Sequence, residues 1–308
     1  MAVFLGLDTS NYTTSTALYD TQTGTVHQQK QLLPVRNGEK GLRQSDAVFH
    51  HTVQLPALLE ALKIPEHIDG IGVSVRPRGL DGSYMPCFLV GEGNARALSA
   101  ALHVPLYRTS HQIGHILAAL YSADQLALLQ SPFLAFHVSG GTTDCVLCEP
   151  DDNALLRVTP VSGSLDLKAG QAVDRVGLML GLHFPCGAEL EKLAMQSTAV
   201  FRYKPTMRGV NCCLSGLENQ CSAMLKKGTP KEDIARFCLC AIAATISEMT
   251  RLALEQCGSL PVLYAGGVMS DVLIRSQLEG TERFFADPAF SCDNAAGTAL
   301  FAALRANR

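Results

Sequence analysis

His111 and His115 stand four residues apart in the stretch SHQIGHILAAL. In an α-helix, side chains four residues apart lie on the same face, so one helix could present both imidazoles to a single metal ion. The same spacing also fits two partly buried, hydrogen-bonded histidines that pack against a core. A metal site needs a third ligand from elsewhere in the chain, so the spacing alone leaves both interpretations open.

Turns rich in glycine and hydroxyl side chains follow three apolar strands. The segments FLGLDTSNYTTSTALYD, from Phe4, and FLAFHVSGGTTDCVLCE, from Phe133, align without gaps and share six of 17 residues. Each is typical of a β-hairpin whose turn, Ser10 to Thr14 or Ser139 to Thr143, presents hydroxyls and N–H groups to a phosphate. The third turn, Gly266 and Gly267, comes between an apolar strand and a helix. Each turn could be an ordinary structural joint, but together they predict a nucleotide site.

Strands and helices alternate after each hairpin, which positions these residues on an α/β fold. The first half continues with a strand, a helix, a strand, a helix, a strand and the histidine helix, and the second half repeats a similar series. The repeat predicts two similar lobes, residues 1–128 and 129–308, with the turns aimed at a cleft between them. The last helix is expected to pack back on the first lobe.

Composition restricts the class of protein. The 308 residues are 47% hydrophobic and 17% charged, which is typical of a globular chain. The start of the chain has no basic leader, and no apolar run is expected to be long enough for a membrane span, so a cytoplasmic location is expected. The eleven cysteines suit buried thiols, and Cys145 and Cys148 lack a second CxxC pair for zinc. A net charge of −3 predicts no global attraction for nucleic acid.

Several motifs, in order along nearly the whole chain, resemble one family: FLGLDTS, SHQIGHI, PFLAFHVSGGTTD, AGQAVDRVGLMLGL, LSGLEN, AGGVMSD and CDNAAG. The sequence is similar to the tRNA N6-threonylcarbamoyladenosine synthases, formerly called O-sialoglycoprotein endopeptidases. The resemblance implies two RNase-H-like lobes of the actin, sugar-kinase and Hsp70 type. It also implies one divalent metal, iron or zinc, on His111, His115 and Asp293. The nucleotide, of the ATP or AMP type, is implied to lie on Ser139, Gly140, Gly141, Asp174, Gly187, Gly266, Gly267 and Asp271.

Two of the implied site residues have a physical rationale of their own. Asp293 precedes a helix that opens with small residues, so it could cap that helix or serve as a hard oxygen ligand beside two imidazole nitrogens. Asp174 could accept ribose hydroxyls, although a solvated charge on a helix surface is the usual state of such a residue.

The sequence also departs from the family pattern. The family's acidic pair is replaced by Tyr12 and Thr13, its histidine after Ser-Gly-Gly by Thr142, and its asparagine after the second Gly-Gly turn by Asp271. A longer loop, RPRGLDGSYMPC, replaces a short Gly-Pro-Gly loop, and its Arg76 and Arg78 could grip phosphate or simply lie on a surface turn. His50 matches a family histidine, but it fits an ordinary helix position equally well.

The resemblance implies a metal-dependent threonylcarbamoyl or carbamoyl transferase that uses a carbamoyl-adenylate. Its acceptor would be tRNA, bound with the help of partner proteins, or a small molecule, and the sequence assigns no general base. The rival hypothesis is a non-catalytic nucleotide-binding partner or regulator of a true synthase, which the altered turn residues favour. Protease activity is disfavoured because Gln112 and Ile113 occupy positions where a zinc protease helix needs its glutamate.

Overall fold

The computed structural model describes residues 2–10, 12–34, 42–80, 82–291 and 295–308. The chain divides into two compact units. Unit 1 comprises Met1–Leu126, Asp151–Arg157 and Cys292–Arg308, and unit 2 comprises Ala127–Pro150 and Val158–Ser291. The predicted boundary at residue 128 lies two residues beyond the first segment of unit 1, which also takes in two later segments.

The described strands are β1 Val3–Ser10, β2 Thr13–Asp20, β3 Val26–Leu32, β4 Gly70–Ser74, β5 Leu106–Thr109, β6 Phe133–Val138, β7 Thr143–Asp151, β8 Leu155–Gly163, β9 Thr206–Arg208, β10 Asn211–Cys213, β11 Val262–Ala265 and β12 Arg283–Phe285. The described α-helices are α1 Gln44–Leu62, α2 Phe88–Leu102, α3 His111–Ser122, α4 Ala169–Leu180, α5 Gly187–Ala194, α6 Ser215–Lys226, α7 Lys231–Cys257, α8 Val272–Leu278 and α9 Ala296–Ala306.

Unit 1 is built on a five-stranded sheet of order β3-β2-β1-β4-β5. The pairs β1–β2 and β2–β3 are antiparallel, whereas β1–β4 and β4–β5 are parallel. Leu5 and Leu7 of β1 join Ile71 and Val73 of β4 in one buried cluster that includes residues of α1 and α2. Because side chains alternate along a strand, Gly6 and Asp8 point to the opposite face.

That opposite face of the unit 1 sheet is covered by α9, which approaches unusually closely. A Cβ atom on Gly6 would lie 2.4 Å from the backbone oxygen of Ala295, and one on Gly72 would lie 1.9 Å from that of Thr298. A Cβ on Gly297 would lie 1.8 Å from the backbone oxygen of Gly114 in α3. The glycines therefore let the backbones of α9, α3 and the central strands touch, as expected from the small residues that follow Asp293.

Unit 2 repeats the topology of unit 1. Its five-stranded sheet has the order β12-β11-β6-β7-β8, which is the order of the first sheet with β6 in the place of β1. The pair β6–β7 is antiparallel and both β6–β11 and β11–β12 are parallel. The duplicated hairpin predicted from the sequence is therefore confirmed. The short strands β9, β10 and β12 were not predicted, because three-residue strands leave little periodic signal. Strand β8 and helix α6 were also not predicted.

Helix α7 runs through the core of unit 2. Its buried residues form one cluster with strands β6 and β11 and helices α4 to α6. By length and composition α7 could span a membrane, which corrects the expectation that no apolar run reaches that length. In the structure, 61% of its most apolar window is buried inside the protein. Such burial also explains the apolar composition, because a helix surrounded by a core has no polar face to maintain.

Candidate functional site

A row of buried polar residues marks the carboxyl ends of three neighbouring strands in unit 1. Leu7 of β1 pairs with Val73 of β4, so Asp8 and Ser74 follow side by side, and Ser74 pairs with Thr109 of β5. Asp8, Ser74 and Thr109 are all buried. Ligand sites of open α/β sheets lie at the carboxyl ends of parallel strands, which makes this edge a candidate.

The two predicted histidines follow directly after this edge. Ser110 caps α3 by accepting a hydrogen bond from the N–H of Ile113 at 3.3 Å, which starts the helix at His111. His111 Nδ1 lies 2.9 Å from Asp8 Oδ2, and His111 Nε2 lies 2.9 Å from His115 Nε2. The structure therefore brings the predicted histidines together and adds Asp8 behind them.

The carboxylate of Asp8 is ionised in this setting. Burial raises the pKa of Asp8, but the imidazole of His111 and the hydrogen bonds that the carboxylate accepts lower it further, so the net pKa lies below the ordinary value. Asp8 Oδ1 accepts the N–H of Ser10 at 2.9 Å, which leaves Oδ2 facing His111. An ionised carboxylate only accepts hydrogen bonds, so it favours a proton on His111 Nδ1.

Another histidine of unit 1, His51, is fully buried. Its Nδ1 lies 2.8 Å from Thr14 Oγ1, and the hydroxyl of Thr14 donates to Gln54 Oε1 at 2.7 Å. Within the described part of the chain, His51 Nε2 has no hydrogen-bond partner. Burial lowers the pKa of His51 to about 4, so the ring is neutral at pH 7. The histidine singled out from the sequence, His50, is partly exposed and packs edge-on to Phe49.

The residues of unit 1 fit a divalent metal in part. Nitrogens that share one tetrahedral metal at about 2.0–2.1 Å lie roughly 3.3 Å apart, close to the 2.9 Å between the two Nε2 atoms. In the described ranges, no set of three histidine, cysteine or carboxylate side chains converges as a metal site. Asp293, the predicted third ligand, lies outside the described residues. Its near neighbour Gly297 packs against Gly114, between the two histidines in sequence.

Unit 2 contains a cavity of about 370 Å³. Six of the eight predicted nucleotide-binding residues line it, namely Ser139, Gly140, Asp174, Gly187, Gly267 and Asp271. Its other lining residues are Gly170, Val173, Pro185, Ala188, Glu191, Leu239, Val268, Ser270 and Ile274. Gly141 and Gly266 are not among them. The volume is that of a small-molecule pocket, and three carboxylates but no lysine or arginine line it.

Each of the three cavity carboxylates accepts a backbone hydrogen bond near a helix start. Asp174 Oδ1 accepts from Cys186 at 2.9 Å, and Glu191 Oε1 accepts from Val272 at 2.8 Å. Asp271 Oδ1 accepts from Ile274 at 3.0 Å and so caps α8. Burial raises the pKa of Asp271 to about 6. Glu191 was not predicted from the sequence, although it lies four residues after Gly187 on the same helix face.

The Ser-Gly-Gly turn of unit 2 lies at the rim of this cavity. The N–H of Ser139 donates to the Thr142 carbonyl at 2.7 Å, and the N–H of Thr142 donates to Ser139 Oγ at 3.2 Å. A Cβ on Gly140 or Gly141 would meet no atom within 4 Å. Gly140 also abuts Gly170, whose Cβ would lie 2.5 Å from its backbone nitrogen. The turn is therefore held by its own hydrogen bonds and leaves open space above its two glycines.

The Gly-Gly turn after β11 divides its roles between its two residues. Gly266 has a φ of +100°, and its Cβ would lie 2.3 Å from the Val138 carbonyl oxygen, so only glycine fits. Gly267 lines the cavity. Gly266 thus shapes the joint with β6, and Gly267 is the residue available to a ligand.

The remaining predicted features are the cysteine pair and the arginine loop. Cys145 and Cys148 are buried in β7, and burial raises the pKa of both thiols, which fits packing rather than zinc binding. The ten cysteines in the described residues are all free. In the arginine loop, the carbonyl oxygen of Arg76 accepts the N–H of His111 at 2.9 Å. The side chains of Arg76 and Arg78 are exposed.

Solved structures share this fold at low sequence identity. Component A of (R)-2-hydroxyglutaryl-CoA dehydratase from Acidaminococcus fermentans is 16% identical, with a TM-score of 0.56 over 100% of both chains. Full-length HypF, solved in a phosphate- and nucleotide-bound form, is 13% identical, with a TM-score of 0.61 over 99% of this chain and 55% of that one. A ROK family glucokinase from Streptomyces griseus, in complex with glucose and AMPPNP, is 11% identical, with a TM-score of 0.52 over 98% and 100%. The fold is the two-lobed actin, sugar-kinase and Hsp70 type.

The family itself is shown by the sequence. A sequence profile described as TsaD, tRNA N6-adenosine threonylcarbamoyltransferase, matches residues 35–300, which include the histidine helix and every residue that lines the unit 2 cavity. With the duplicated sheet and the converging imidazoles, this match shows that the chain belongs to the tRNA N6-adenosine threonylcarbamoyltransferase family.

Proposed function

We propose that the protein is a metal-dependent threonylcarbamoyl or carbamoyl transferase that uses a carbamoyl-adenylate-type nucleotide. The observation that carries the proposal is the convergence of His111 Nε2 and His115 Nε2 at 2.9 Å in a chain of this family. At that distance one imidazole can donate a hydrogen bond to the other. A metal ion that bound both nitrogens would replace this hydrogen bond, and the proposal takes the pair as its two imidazole ligands.

We propose that the metal is iron or zinc and that His111, His115 and Asp293 hold it. Two imidazole nitrogens and one carboxylate oxygen suit either ion and leave positions open for substrate. When bound, the ion would polarise or anchor the carbamoyl group. The close packing of Gly297 on Gly114 supports this assignment, because it brings the segment that follows Asp293 to the histidine helix.

The nucleotide of the proposal occupies the unit 2 cavity. The remaining oxygens of Asp174, Glu191 and Asp271 can accept hydrogen bonds from ribose hydroxyls and a base amine, and the apolar lining suits a purine. The carboxylates would repel a phosphate inside the cavity. We therefore assign the phosphate to the rim, at the open turn formed by Ser139, Gly140 and Gly141.

The proposed reaction is a simple acyl transfer. The N6 amine of an adenosine attacks the carbamoyl carbon, the bond from that carbon to the phosphate oxygen breaks, AMP leaves, and the attacking amine loses one proton. No residue is assigned as the base, so the chain's own contribution is to bind, orient and neutralise. Because the net charge is −3 and gives no overall attraction for a polyanion, we propose that tRNA is bound with a partner protein. We also propose a cytoplasmic location.

The test supplies purified protein with threonylcarbamoyl-adenylate, Fe(II) or Zn(II), and tRNA, and follows modified adenosine by mass spectrometry of the digested tRNA. Product that depends on the protein and the metal is expected. Absence of product, with partner proteins included, would contradict tRNA modification. Release of AMP with an added small amine would then identify a carbamoyl transferase with another acceptor.

The alternative is a nucleotide-binding, non-catalytic partner of a true synthase. It is favoured by Asp271, which replaces the family asparagine and adds a charge to the cavity. Metal content separates the two functions, because a scaffold has no use for paired imidazoles at one point. Stoichiometric iron or zinc after anaerobic purification favours the enzyme, and its absence favours the partner.

A further inference from the structure

Asp8 holds two different groups with its two carboxylate oxygens. Oδ1 accepts the N–H of Ser10, two residues along the chain, which closes an Asx-type turn at the end of β1. Oδ2 lies 2.9 Å from Nδ1 of His111, 103 residues away in sequence. The first contact is local and structural, whereas the second reaches the proposed metal ligand.

The second contact bears on which nitrogen of His111 carries the proton. A neutral imidazole carries one proton, and a carboxylate oxygen 2.9 Å from Nδ1 can accept a hydrogen bond from it there. Nε2 then presents its lone pair towards His115, whose own Nε2 is 2.9 Å away. Carboxylates that accept the distal N–H of a metal-binding histidine fix its tautomer and ring orientation in the same manner.

We propose that Asp8 is a positioning residue that keeps His111 in the Nδ1–H tautomer and so delivers Nε2 to the metal. The inference rests on the proposed function in taking a divalent metal as the ligand. Asp8 would act through His111, because its Oδ1 accepts from Ser10 and its Oδ2 faces His111 Nδ1. The burial of Asp8, which is 1% exposed, keeps water from competing for His111 Nδ1.

Asp8→Asn tests this role without removing the turn. The amide oxygen can still accept the N–H of Ser10, but the amide nitrogen that replaces Oδ2 donates a hydrogen bond. His111 Nδ1 must then accept, and its proton moves to Nε2, where it blocks metal binding. Asp69→Asn is the matched control, because Asp69 also accepts a backbone N–H, from Val3 at 2.7 Å, and also lies beside a histidine, His67.

Two measurements follow the tautomer and the metal separately. Long-range 1H–15N NMR of the metal-free proteins, about two pH units above the ordinary imidazole pKa of about 6.5, reports which ring nitrogen of His111 is protonated. Competition with a chromophoric chelator gives the Zn(II) affinity. We expect Nδ1–H in the wild type, Nε2–H in Asp8→Asn, and a Zn(II) affinity lower by about 10- to 100-fold, with Asp69→Asn like the wild type in both.

Each outcome bears on the inference. Nε2–H at His111 in the wild type overturns it, even if Asp8→Asn fails to fold. Wild-type Zn(II) affinity in a folded Asp8→Asn also overturns it. A wild type that binds no Zn(II), Fe(II) or Co(II) refutes both the inference and the proposed metal site. Expected tautomers and affinities in a protein that transfers no carbamoyl group support the inference while contradicting the proposed function.

Discussion

The two hairpins of the duplicated sheet differ at the positions where their turns begin. The gapless repeat aligns Asp8 of unit 1 with His137 of unit 2, and the pair Thr9–Thr14 with the pair Val138–Thr143. In unit 1 the strand pairing continues to Ser10 at the end of β1, and the Thr14 side chain of the hairpin forms a hydrogen bond with His51. In unit 2 pairing stops at Val138, and two glycines leave open space beside a cavity.

The same sheet topology carries different polar contacts in the two units. Unit 1 directs the buried carboxylate of Asp8 at the imidazole of His111. Unit 2 directs its carboxylates at backbone N–H groups near helix starts, which uses up donors that would otherwise attract an anion. This contrast supports the proposals of a metal in unit 1 and of the uncharged part of a nucleotide in unit 2.

The largest expected effect is on metal content, in unit 1. His115→Ala should lower the metal affinity by at least about 100-fold, because a direct ligand contributes more than a supporting residue. The folded state should survive, with a loss of only about 1 kcal/mol, because the replaced imidazole is partly exposed. Elemental analysis and thermal melting measure both. His50→Ala, also a partly exposed histidine on a unit 1 helix, should keep wild-type metal content.

Packing histidines would give the reverse result. His115→Ala would then lower the melting temperature markedly and leave the metal content unchanged. Because Asp293 is the proposed third ligand, Asp293→Ala should repeat the metal loss. If instead it only caps α9, it should cost about 1 kcal/mol and leave the metal in place.

The second prediction contrasts the glycines of the two units. Gly297→Ala should destabilise the protein by about 3 kcal/mol or more, because its Cβ would lie 1.8 Å from the Gly114 carbonyl oxygen and neither backbone can move away easily. Gly140→Ala in unit 2 should change stability by less than about 0.5 kcal/mol, because no atom lies within 4 Å of the new Cβ. Denaturant titration followed by circular dichroism compares them. Equal losses would show that the Gly140 turn is packed rather than open.

The sequence predicted the features that depend on local pattern. The repeated hairpin, the histidine helix and six of the cavity residues follow from strand alternation, helical spacing and the family motifs. Asp8 escaped notice because its role depends on the register of β1, β4 and β5, which brings together residues about 100 positions apart. His51 was missed in favour of His50, since a shift of one residue turns a helix by 100°. Such contacts are properties of the tertiary fold.

The third prediction concerns the stability of the fold at acid pH. His51 in unit 1 and Asp271 in unit 2 contribute to its pH dependence with opposite signs. His51 has a pKa lowered to about 4, so between about pH 6.5 and 4 the unfolded chain binds a proton that the folded state does not, and stability falls as the pH falls. Asp271 has a pKa raised to about 6, so between about pH 4 and 6 the folded state binds the extra proton, and stability falls as the pH rises. Each effect is on the order of 3 kcal/mol at most.

Urea denaturation from pH 4 to 7 distinguishes the two contributions. His51→Gln should make stability less sensitive to acid than in the wild type, whereas Asp271→Asn should make it more sensitive. The buried ring of His51 packs in the fold, so the comparison uses the slope of stability against pH and not its absolute value. Variants with the same slope as the wild type would show that neither group titrates differently in the folded state.

The smallest expected effect concerns the charge of the unit 2 ligand. Asp271→Asn should retain the cap of α8, because asparagine is as good an N-cap as aspartate, while it removes one of three negative charges from the cavity. A like-charge repulsion across several ångströms of partly hydrated protein is worth about 1 kcal/mol, or roughly fivefold in affinity. Calorimetry should therefore show ATP binding about fivefold more tightly to Asp271→Asn than to the wild type at pH 8, with adenosine binding almost unchanged. The gain should fade below about pH 6, where the wild-type carboxyl is itself protonated.

Asp166→Asn is the control, because Asp166 also accepts backbone N–H groups in unit 2, from Leu167 and Leu214, but does not line the cavity. An equal gain for adenosine and ATP would show that Asp271 acts on the shape of the cavity and not through its charge.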